Sequence, residues 1–393
     1  MVLKMRKMKD SGIEWIGEIP EGWTKNKVIR LFDTIGSGTT PKNITSDFPV
    51  VNWIQSGDIT GSFMPACKNV ISANLLSQYS ALKVYPAPFI IIAMYGASVG
   101  NASISLIDGC VNQACCVLSS PSCNLHYAFY VIKSAQSYLV RKAVGGGQPN
   151  ISQETIKQLW LPLPPLSTQD IIVRNLDAAC SKIDDLLTSV HASIEEYKKL
   201  KQAVITQAVT EGTPAMFSSP HSVKLKYLIS IVSGEAIRNE QLSDFGEYPV
   251  YGGGEIIGFC SQYNTSEGSL IIGRVGARCG CVTHTTCKSW ATDNALIVLP
   301  TCNAKYMYYV IGHCQLNNLN TSNAQPLITS TKIKNVVVPY FSDAMQQQEI
   351  TDYLDAKCAE IDGLITRKEQ LVKELESYKK SLIYEVVTGK REV

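Results

Sequence analysis

Three cysteines and one histidine lie within nine residues in the second half of the chain and could bind a metal ion. They are Cys279, Cys281, His284 and Cys287. Thiolates and imidazoles are usual zinc ligands, but this spacing fits no common zinc module. An internal repeat aligns the four with mostly apolar residues, which are Val99, Asn101, Ile104 and Ile107. Apolar counterparts are typical of core or turn positions, so the sequence predicts no metal site.

Two glycine-rich turns could hold a phosphate through backbone N–H groups. Gly-Ala-x-x-Gly occurs at residues 96–100 and again at 276–280. Neither copy has the Lys-Ser/Thr of a nucleotide-binding loop or the spacing of a dinucleotide fingerprint. A tight turn between strands is the better interpretation, and such a turn could present polar side chains to a DNA backbone or base edge. Those side chains are Tyr95 and Ser98 in the first copy and Arg274 and Arg278 in the second.

No set of residues has the pattern of a catalytic site. The five histidines lie outside any recognisable triad context. The sequence also lacks an Asn-Pro-Pro-Phe/Tyr methyltransferase motif, a helicase loop and an Asp…Glu-x-Lys nuclease signature. We therefore expect that the chain is not an enzyme. An enzyme of another type, such as a cysteine hydrolase, stays open as an alternative that turnover by the purified chain would identify.

The elements that position these residues occur in an internal sequence repeat. Gln148, Pro149 and Ile151 recur at one offset of 177 (325 minus 148) as Gln325, Pro326 and Ile328. A second set recurs at an offset of 178 (354 minus 176). It pairs Leu176, Asp177, Cys180, Ile183 and Asp184 with Leu354, Asp355, Cys358, Ile361 and Asp362. A period this long indicates a duplicated domain with its helix rather than a solenoid repeat.

Four segments follow from this repeat. Residues 1–165 and 213–342 contain short apolar runs broken by Gly, Asn and Ser clusters, which is typical of strands and loops. Residues 166–212 and 343–393 carry apolar residues in steps of three and four, as in a coiled-coil seam. We predict an α+β chain in which two strand-rich domains are separated by two long antiparallel helices, with an internal pseudo-two-fold duplication. The alternative is that each helix packs on its own domain.

Composition indicates a folded protein without a membrane span. The chain has 393 residues, of which 45% are hydrophobic and 18% charged. No apolar run reaches the roughly 18 residues that a span requires, and the N-terminus does not have the pattern of a secretory signal. The 13 irregularly spaced cysteines favour reduced thiols and a cytoplasmic location. A net charge of +2 predicts only a modest polyanion binder, although the strand-rich segments are mildly basic and the helical segments acidic.

Several motifs together resemble one family. Residues 9–23 read KDSGIEWIGEIPEGW, which is similar to the opening of the specificity subunits of type I restriction–modification systems. Residues 161–169, LPLPPLSTQ, resemble the stretch that leads those subunits into their first conserved helix. YKKSLI at residues 378–383 and VTGK at 387–390 resemble the end of their second helix. The resemblance covers the whole chain. One departure, YFSDA at residues 340–344 in place of a second Pro-Pro-Leu, predicts a different geometry at the second junction between domain and helix.

The resemblance implies a division of labour. The two strand-rich domains would be target-recognition domains, each reading one half of a bipartite sequence in double-stranded DNA. The helices would set the spacing between the half-sites and dock two modification subunits, which use S-adenosylmethionine to methylate adenine. A motor–nuclease restriction subunit that uses ATP and Mg would join for cleavage, and the specificity subunit itself would hold no cofactor. A stand-alone DNA-binding or scaffold protein without a methylase partner is the alternative.

Candidate DNA-reading residues lie at turns or at positions that the repeat relates. In the first domain they are Gln55, Asp58, Tyr95, Ser98, Asn112 and Gln148. In the second domain they are Glu255, Arg274, Arg278, Asn294 and Gln325. Because Gln148 and Gln325 occur in both copies, each followed by proline, a structural loop is the alternative for these two. Residues that differ between the copies are the better candidates for sequence readout.

Overall fold

The computed structural model describes residues 7–145, 149–216, 218–276, 278–319 and 327–392. The chain forms two compact units. The first unit combines Met1–Ser189 with Val372–Val393, and the second consists of Val190–Leu371. Each unit therefore contains a strand-rich domain and a part of both long helices.

The first unit is built around a central five-stranded sheet. Its strands are β1 (Met8–Ile13), β2 (Gly17–Pro20), β3 (Thr24–Lys27), β4 (Phe32–Gly36), β5 (Val50–Ile54), β6 (Phe63–Met64), β7 (Asn69–Ser72), β8 (Phe89–Ala93), β9 (Ala102–Ser105), β10 (Cys110–Val111), β11 (Cys115–Pro121) and β12 (Trp160–Leu163). The central sheet has the order β4-β11-β8-β9-β6, a second sheet has the order β10-β5-β7, and β1–β2 and β3–β12 form separate pairs. The helices are α1 (Leu75–Gln78), α2 (Leu125–Ser134), α3 (Gln136–Arg141), α4 (Gln153–Lys157) and the first part of α5 (Leu166–Glu211).

The second unit repeats this plan with fewer elements. Its strands are β13 (His221–Lys224), β14 (Ile229–Ser233), β15 (Tyr248–Gly252), β16 (Glu255–Cys260), β17 (Leu270–Gly273), β18 (Val282–His284), β19 (Trp290–Ala291), β20 (Ala295–Pro300) and β21 (Val337–Tyr340). They form sheets of order β14-β20-β17-β18 and β16-β15-β19, and a β13–β21 pair. The helices are α6 (Ala304–His313), α7 (Ser330–Lys334) and most of α8 (Ala344–Val387).

The central strand β8 shows why the first sheet lies inside its unit. Its sequence Phe-Ile-Ile-Ile-Ala is buried at every position. Alternate side chains of a strand point to opposite faces, so a strand covered on both faces reads as a continuous apolar run. Ile90 and Ile92 pack in the cluster that also contains the helices, whereas Phe89 and Ile91 pack in a second cluster on the other face.

In the first unit the long helices run antiparallel. The hydroxyl of Tyr127 donates hydrogen bonds to Pro162 O and Val387 O, which brings the chain just before α5 next to the end of α8. Further along α5, Asp184 pairs with Lys379 at 2.5 Å. Residues later in α5 therefore contact residues earlier in α8, so the two helices run in opposite directions.

In the second unit the remaining parts of the same helices are also antiparallel. The Thr213 hydroxyl, just after α5, donates a hydrogen bond of 2.6 Å to Glu349 near the start of α8. Lys201 pairs with Asp362 at 2.6 Å. The predicted α+β fold with paired antiparallel helices is confirmed, and the helices also pack on the strand-rich domains in both clusters. Within the residues that the structure describes, no helix is long and apolar enough to cross a membrane.

The junction that leads into α5 is braced by a buried glutamine. Gln169 is 3% exposed, and its Nε2 donates a hydrogen bond of 2.9 Å to Pro164 O. Its Oε1 accepts a hydrogen bond of 2.9 Å from the Asn124 N–H. Both polar ends of a buried amide are thus satisfied, and the first turn of α5 is tied to the start of α2.

The second junction has an equivalent glutamine brace, but it is one residue longer. Three residues (341–343) separate β21 from α8, whereas two (164–165) separate β12 from α5, so the two junctions differ in local geometry as predicted. Gln347 is 2% exposed, donates a hydrogen bond of 2.7 Å to Phe341 O and accepts one of 3.2 Å from the Asn303 N–H. The glutamine binds backbone groups, which do not depend on side-chain type. The junction can therefore keep this brace without the proline pair.

Candidate nucleic-acid interface

The glycines of the two Gly-Ala-x-x-Gly segments lie in equivalent turns. Residues 96–100 lie between β8 and β9, and the described residues 276 and 278–280 lie between β17 and β18. The outer glycines all lie in the left-handed region, with φ of 72° at Gly96, 79° at Gly100, 79° at Gly276 and 84° at Gly280. A residue with a Cβ would be strained there, which explains why glycine occurs at both ends of both turns.

A polar edge forms in the first unit where two parallel strands end. Ile54 of β5 lies opposite Val111 of β10, so the next residues, Gln55 and Asn112, leave the sheet side by side. The Asn112 N–H donates a hydrogen bond of 3.1 Å to Ile54 O. Both predicted side chains are half-buried and lie at the carboxyl end of the strands.

The first glycine turn reaches the same edge. The Met94 N–H donates a hydrogen bond of 2.8 Å to Ala114 O, which ties this turn to the loop that carries Asn112. Tyr95 is 40% exposed, and the Ser98 hydroxyl donates a hydrogen bond of 3.3 Å to Tyr95 O. The structure therefore brings four predicted residues together, and we call them the first polar edge: Gln55, Tyr95, Ser98 and Asn112.

Asp58 is bound within its own loop. Its Oδ2 accepts a hydrogen bond of 2.9 Å from the Gln55 N–H, and its Oδ1 accepts one of 3.3 Å from the Lys68 N–H. The Gln55 side chain in turn accepts a hydrogen bond from the backbone N–H of Asp58, so the two residues cap one short turn. This geometry favours a role in which Asp58 positions Gln55 over one in which it contacts a base.

Sequence reasoning missed two residues beside the first polar edge. Gln113 and Thr40 are both exposed, and the Thr40 hydroxyl donates a hydrogen bond of 2.6 Å to Gln113 Oε1. The loop that carries Thr40 passes directly over β10. A Cβ on Gly38 in this loop would lie 1.7 Å from Val111 O. The available signal was the Ser-Gly-Thr-Thr sequence of residues 37–40, which has the small and hydroxyl residues of such a loop.

The second unit has an equivalent edge with different side chains. Tyr251 of β15 lies opposite Ala291 of the parallel strand β19, and the Thr292 N–H donates a hydrogen bond of 2.9 Å to Tyr251 O. Thr292 therefore occupies the position of Asn112, and Gly252 occupies the position of Gln55. The strand ends are the same, but the side chains differ, and both Gly252 and Thr292 are buried.

Asn294 lies two residues beyond this position. Its N–H donates a hydrogen bond of 3.3 Å to the Thr292 hydroxyl, just as the Ala114 N–H donates one of 3.1 Å to Asn112 Oδ1. The counterpart of Asn294 is thus Ala114 rather than Asn112. Its side chain is exposed at the edge, so it remains a candidate for readout.

Arg278 presents its charge at the second edge, whereas Arg274 is more enclosed. Arg278 Nη1 lies 3.7 Å from Glu255 Oε2, and the two side chains are 57% and 62% exposed. Arg274 is half-buried, and its backbone bonds to Asn294 O and to the Ile328 N–H, both at 3.0 Å. We call Glu255, Arg274, Arg278 and Asn294 the second polar edge.

The two predicted glutamines cannot be located in the same way, because Gln148 and Gln325 lie outside the described residues. The structure describes the chain that follows each of them, from residue 149 and from residue 327. Asn150 forms a β-bridge with Tyr95, and Leu327 forms one with Val275. The chain next to each glutamine therefore runs beside the corresponding glycine turn.

The cysteines and histidine at residues 279–287 do not form a metal cluster in the structure. Within the described ranges, no group of three or more His, Cys, Asp or Glu side chains could hold an ion. Cys279 is buried and its thiol donates to Arg274 O at 3.2 Å, whereas Cys281 and Cys287 are exposed. Burial raises the pKa of the Cys279 thiol and lowers the pKa of His284.

The buried cysteines of the first unit are poor nucleophiles. Burial raises the pKa of both Cys115 and Cys116 to about 12, so both thiols stay protonated at neutral pH. The thiolate is the reactive form of cysteine. These two cysteines therefore give no support to the hydrolase alternative.

The comparison with known families matches both halves of the chain. A family model described as "Type I restriction modification DNA specificity domain" matches residues 20–196 and again residues 221–374. The chain belongs to this family. The two matched stretches are the two copies of the internal repeat, each consisting of a strand-rich domain and most of its helix.

Individual members of the family resemble the chain over most of its length. The Escherichia coli type I restriction enzyme EcoprrI specificity subunit is 22% identical over 323 residues, which are 76% of this chain and 79% of that protein. A chain from a solved structure of a type I R-M system aligns with a TM-score of 0.74 at 15% identity, covering 94% of this chain and 98% of that one. The HsdS subunit from Thermoanaerobacter tengcongensis aligns with a TM-score of 0.51 at 16% identity, covering 95% and 98%. The specificity-subunit family is thus shown, and the stand-alone alternative is not favoured.

Proposed function

We propose that this chain is the DNA-reading subunit of a type I restriction–modification complex, in which each strand-rich domain reads one half of a bipartite target. Residues 1–165 would read one half and residues 213–342 the other. One observation supports this most: the two polar edges share a backbone scaffold but carry different side chains. Gln55 and Asn112 of the first edge correspond to the buried Gly252 and Thr292 of the second unit, where Arg278 and Asn294 are the exposed side chains instead.

Readout at these edges would use ordinary hydrogen-bond chemistry. Amides such as Asn112 can pair with adenine, and a guanidinium such as Arg278 can pair with guanine or a phosphate. Asp58 would hold the Gln55 loop in place, since both its oxygens accept backbone N–H groups. Lysines and arginines elsewhere on the basic domains would position the DNA backbone.

Catalysis would belong to the partners. We propose that two modification subunits bind this chain through its long helices and methylate adenine with S-adenosylmethionine. A motor–nuclease subunit that uses ATP and Mg would join them for cleavage. The helices would also set the unread gap between the half-sites, and the chain itself would neither cut nor methylate.

Reconstitution tests this assignment. The purified chain, a modification subunit from the same host, and the mixture of both are each incubated with S-adenosylmethionine and DNA. We expect adenine methylation only in the mixture. Methyl transfer or DNA cleavage by the chain alone would contradict the proposal, as would a mixture that remains inactive on all DNA from a host that lacks the system.

A further inference from the structure

Two phenylalanine side chains are almost fully exposed to solvent. Phe48 is 89% exposed and Phe245 is 88% exposed. Among the residues that the structure describes, they are the two most exposed large apolar side chains. A folded protein gains free energy by burying such a ring, so a ring left outside marks a candidate contact with another molecule.

The two phenylalanines occupy one position in the duplicated fold. Each ends a Ser-Asp-Phe tripeptide, at residues 46–48 and at 243–245, with an offset of 197 (245 minus 48). The strands that follow keep the same offset, because Trp53 of β5 and Val250 of β15 (250 minus 53 is 197) occupy the same register against their parallel neighbours. The equivalence therefore rests on the structure as well as on the tripeptide.

Both Ser-Asp-Phe loops are fixed to a three-stranded sheet with exposed apolar residues. In the first unit the Ser72 N–H of β7 donates a hydrogen bond of 2.7 Å to Thr45 O, and Val50 and Val70 on adjacent strands are 39% and 40% exposed. In the second unit the Ser243 N–H donates one of 3.0 Å to Phe259 O of β16. At the amino end of β15 the ring of Tyr248 packs on that of Tyr263, which is 48% exposed. The exposed Ile256 lies at the other end, because it pairs with Tyr251. We call the surface around each ring the Phe48 patch and the Phe245 patch.

The surroundings of the patches favour a protein over DNA. The charged groups next to the rings are the exposed carboxylates Asp47 in the first unit and Asp244 and Glu247 in the second, which repel phosphates. The rings also precede the amino ends of β5 and β15, whereas the polar edges lie at the carboxyl ends. A five-residue strand separates the two by roughly 17 Å.

The duplication indicates what kind of protein would bind. Residues that read two different half-sites should differ between the units, as the polar edges do. Residues that are the same in both units suit two copies of a single partner. We propose that Phe48 and Phe245 each anchor one copy of the modification subunit, in an apolar pocket with basic residues at its rim. This inference rests on the proposed function, which supplies two copies of that subunit.

Substitution of the two rings tests the inference. The variants F48S, F245S and F48S/F245S are mixed with purified modification subunit, and the number of bound copies and their affinities are measured by native mass spectrometry and calorimetry. We expect each single variant to bind one copy as the wild type does and the other at least about tenfold more weakly, with both weakened in the double variant. F48L and F245L should restore most of the binding, because leucine keeps an apolar anchor.

A matched control comes from the same fold. Tyr227 is 68% exposed, but its counterpart at the offset of 197 is Arg30, so it belongs to no shared patch. Y227S should leave binding of the modification subunit unchanged. All variants should melt at the wild-type temperature and keep the DNA affinity of the isolated chain, because the substituted rings lie outside the core.

Three results would overturn the inference. The double variant could bind two copies with wild-type affinity. The double variant could instead lose DNA affinity while it still recruits both copies, which would assign the rings to DNA. A wild-type chain that recruits no modification subunit would overturn the proposed function and the anchors with it, and the wild-type arm therefore distinguishes the two failures.

Discussion

The hydroxyl of Tyr130 donates a hydrogen bond of 2.6 Å to Asp177 Oδ1 and so ties α2 of the first domain to the long helix α5. The second unit repeats this contact, where Tyr309 on α6 donates one of 2.7 Å to Asp355 Oδ1 on α8. The Leu-Asp pairs that the sequence repeats at residues 176–177 and 354–355 therefore contribute an aspartate to the same contact in each unit. They fix each strand-rich domain on a long helix in the same way.

Loss of the Tyr130 hydroxyl should destabilise the first unit. The ring is 4% exposed, and a hydrogen bond to a charged group contributes roughly 1.5–3 kcal/mol. We expect Y130F to lower the free energy of unfolding by about that amount in urea. Y138F is the control, because the Tyr138 hydroxyl makes only an exposed bond of 3.2 Å to Glu14. Equal stability of Y130F and Y138F would contradict the role given to this contact.

The same tyrosine predicts a loss of stability at high pH. Burial, together with the bond to Asp177, raises the pKa of Tyr130 far above its ordinary value. The unfolded chain therefore releases this proton first, so its stabilisation is complete below about pH 10 and declines as the pH rises further. We expect the unfolding free energy of Y130F to fall less steeply above pH 10 than that of the wild type. Parallel pH profiles would show that Tyr130 does not contribute.

The buried glutamine of the second junction should be as important as that of the first. Q347A would leave the Asn303 N–H and Phe341 O without their partner, which costs about 1–3 kcal/mol for each buried group that stays unsatisfied. We expect chemical denaturation to show a loss of that order for Q347A and for Q169A. M345A, at a neighbouring side chain that is 84% exposed, should change stability by less than about 0.5 kcal/mol. If Q347A kept the wild-type free energy of unfolding, other contacts would hold this junction.

Arg278 should contribute to DNA affinity through its exposed guanidinium. R278A should weaken binding, whereas E255Q should strengthen it slightly, because the carboxylate that lies 3.7 Å away would no longer compete for the charge. Binding is measured over a library of target sequences at two salt concentrations. A uniform loss with a lower salt slope indicates a phosphate contact, and a loss confined to one base pair, about 1–3 kcal/mol, indicates base readout. Unchanged affinity in R278A would remove it from the interface.

The sequence predicted the parts of the fold that follow from strong local patterns. The long helices could be predicted because their apolar stripes repeat in both copies, with Leu176 and Leu354 both almost fully buried. The glycine turns could be predicted because Gly96 and Gly276 require left-handed backbone. Such features depend on residue type and spacing alone.

Strand register could not be predicted in the same way. Pro-Val occurs both at residues 49–50 and at residues 249–250, yet the parallel pairing aligns Val250 with Trp53 rather than with Val50. Register depends on which strand lies opposite, and that partner is distant in sequence. The equivalence of the two Ser-Asp-Phe tripeptides therefore becomes evident only with the register in place.

Exchange of one domain tests the central claim most directly. Residues 213–342 are replaced by the equivalent segment of a relative with a known target, and the chimaera is expressed with its modification subunit in a host that lacks the system. Methylome sequencing then reads the recognised motif. We expect a bipartite motif in which one half is that of the relative and the other half is unchanged from the wild type. A motif in which both halves change, or one that stays wholly wild type, would contradict it.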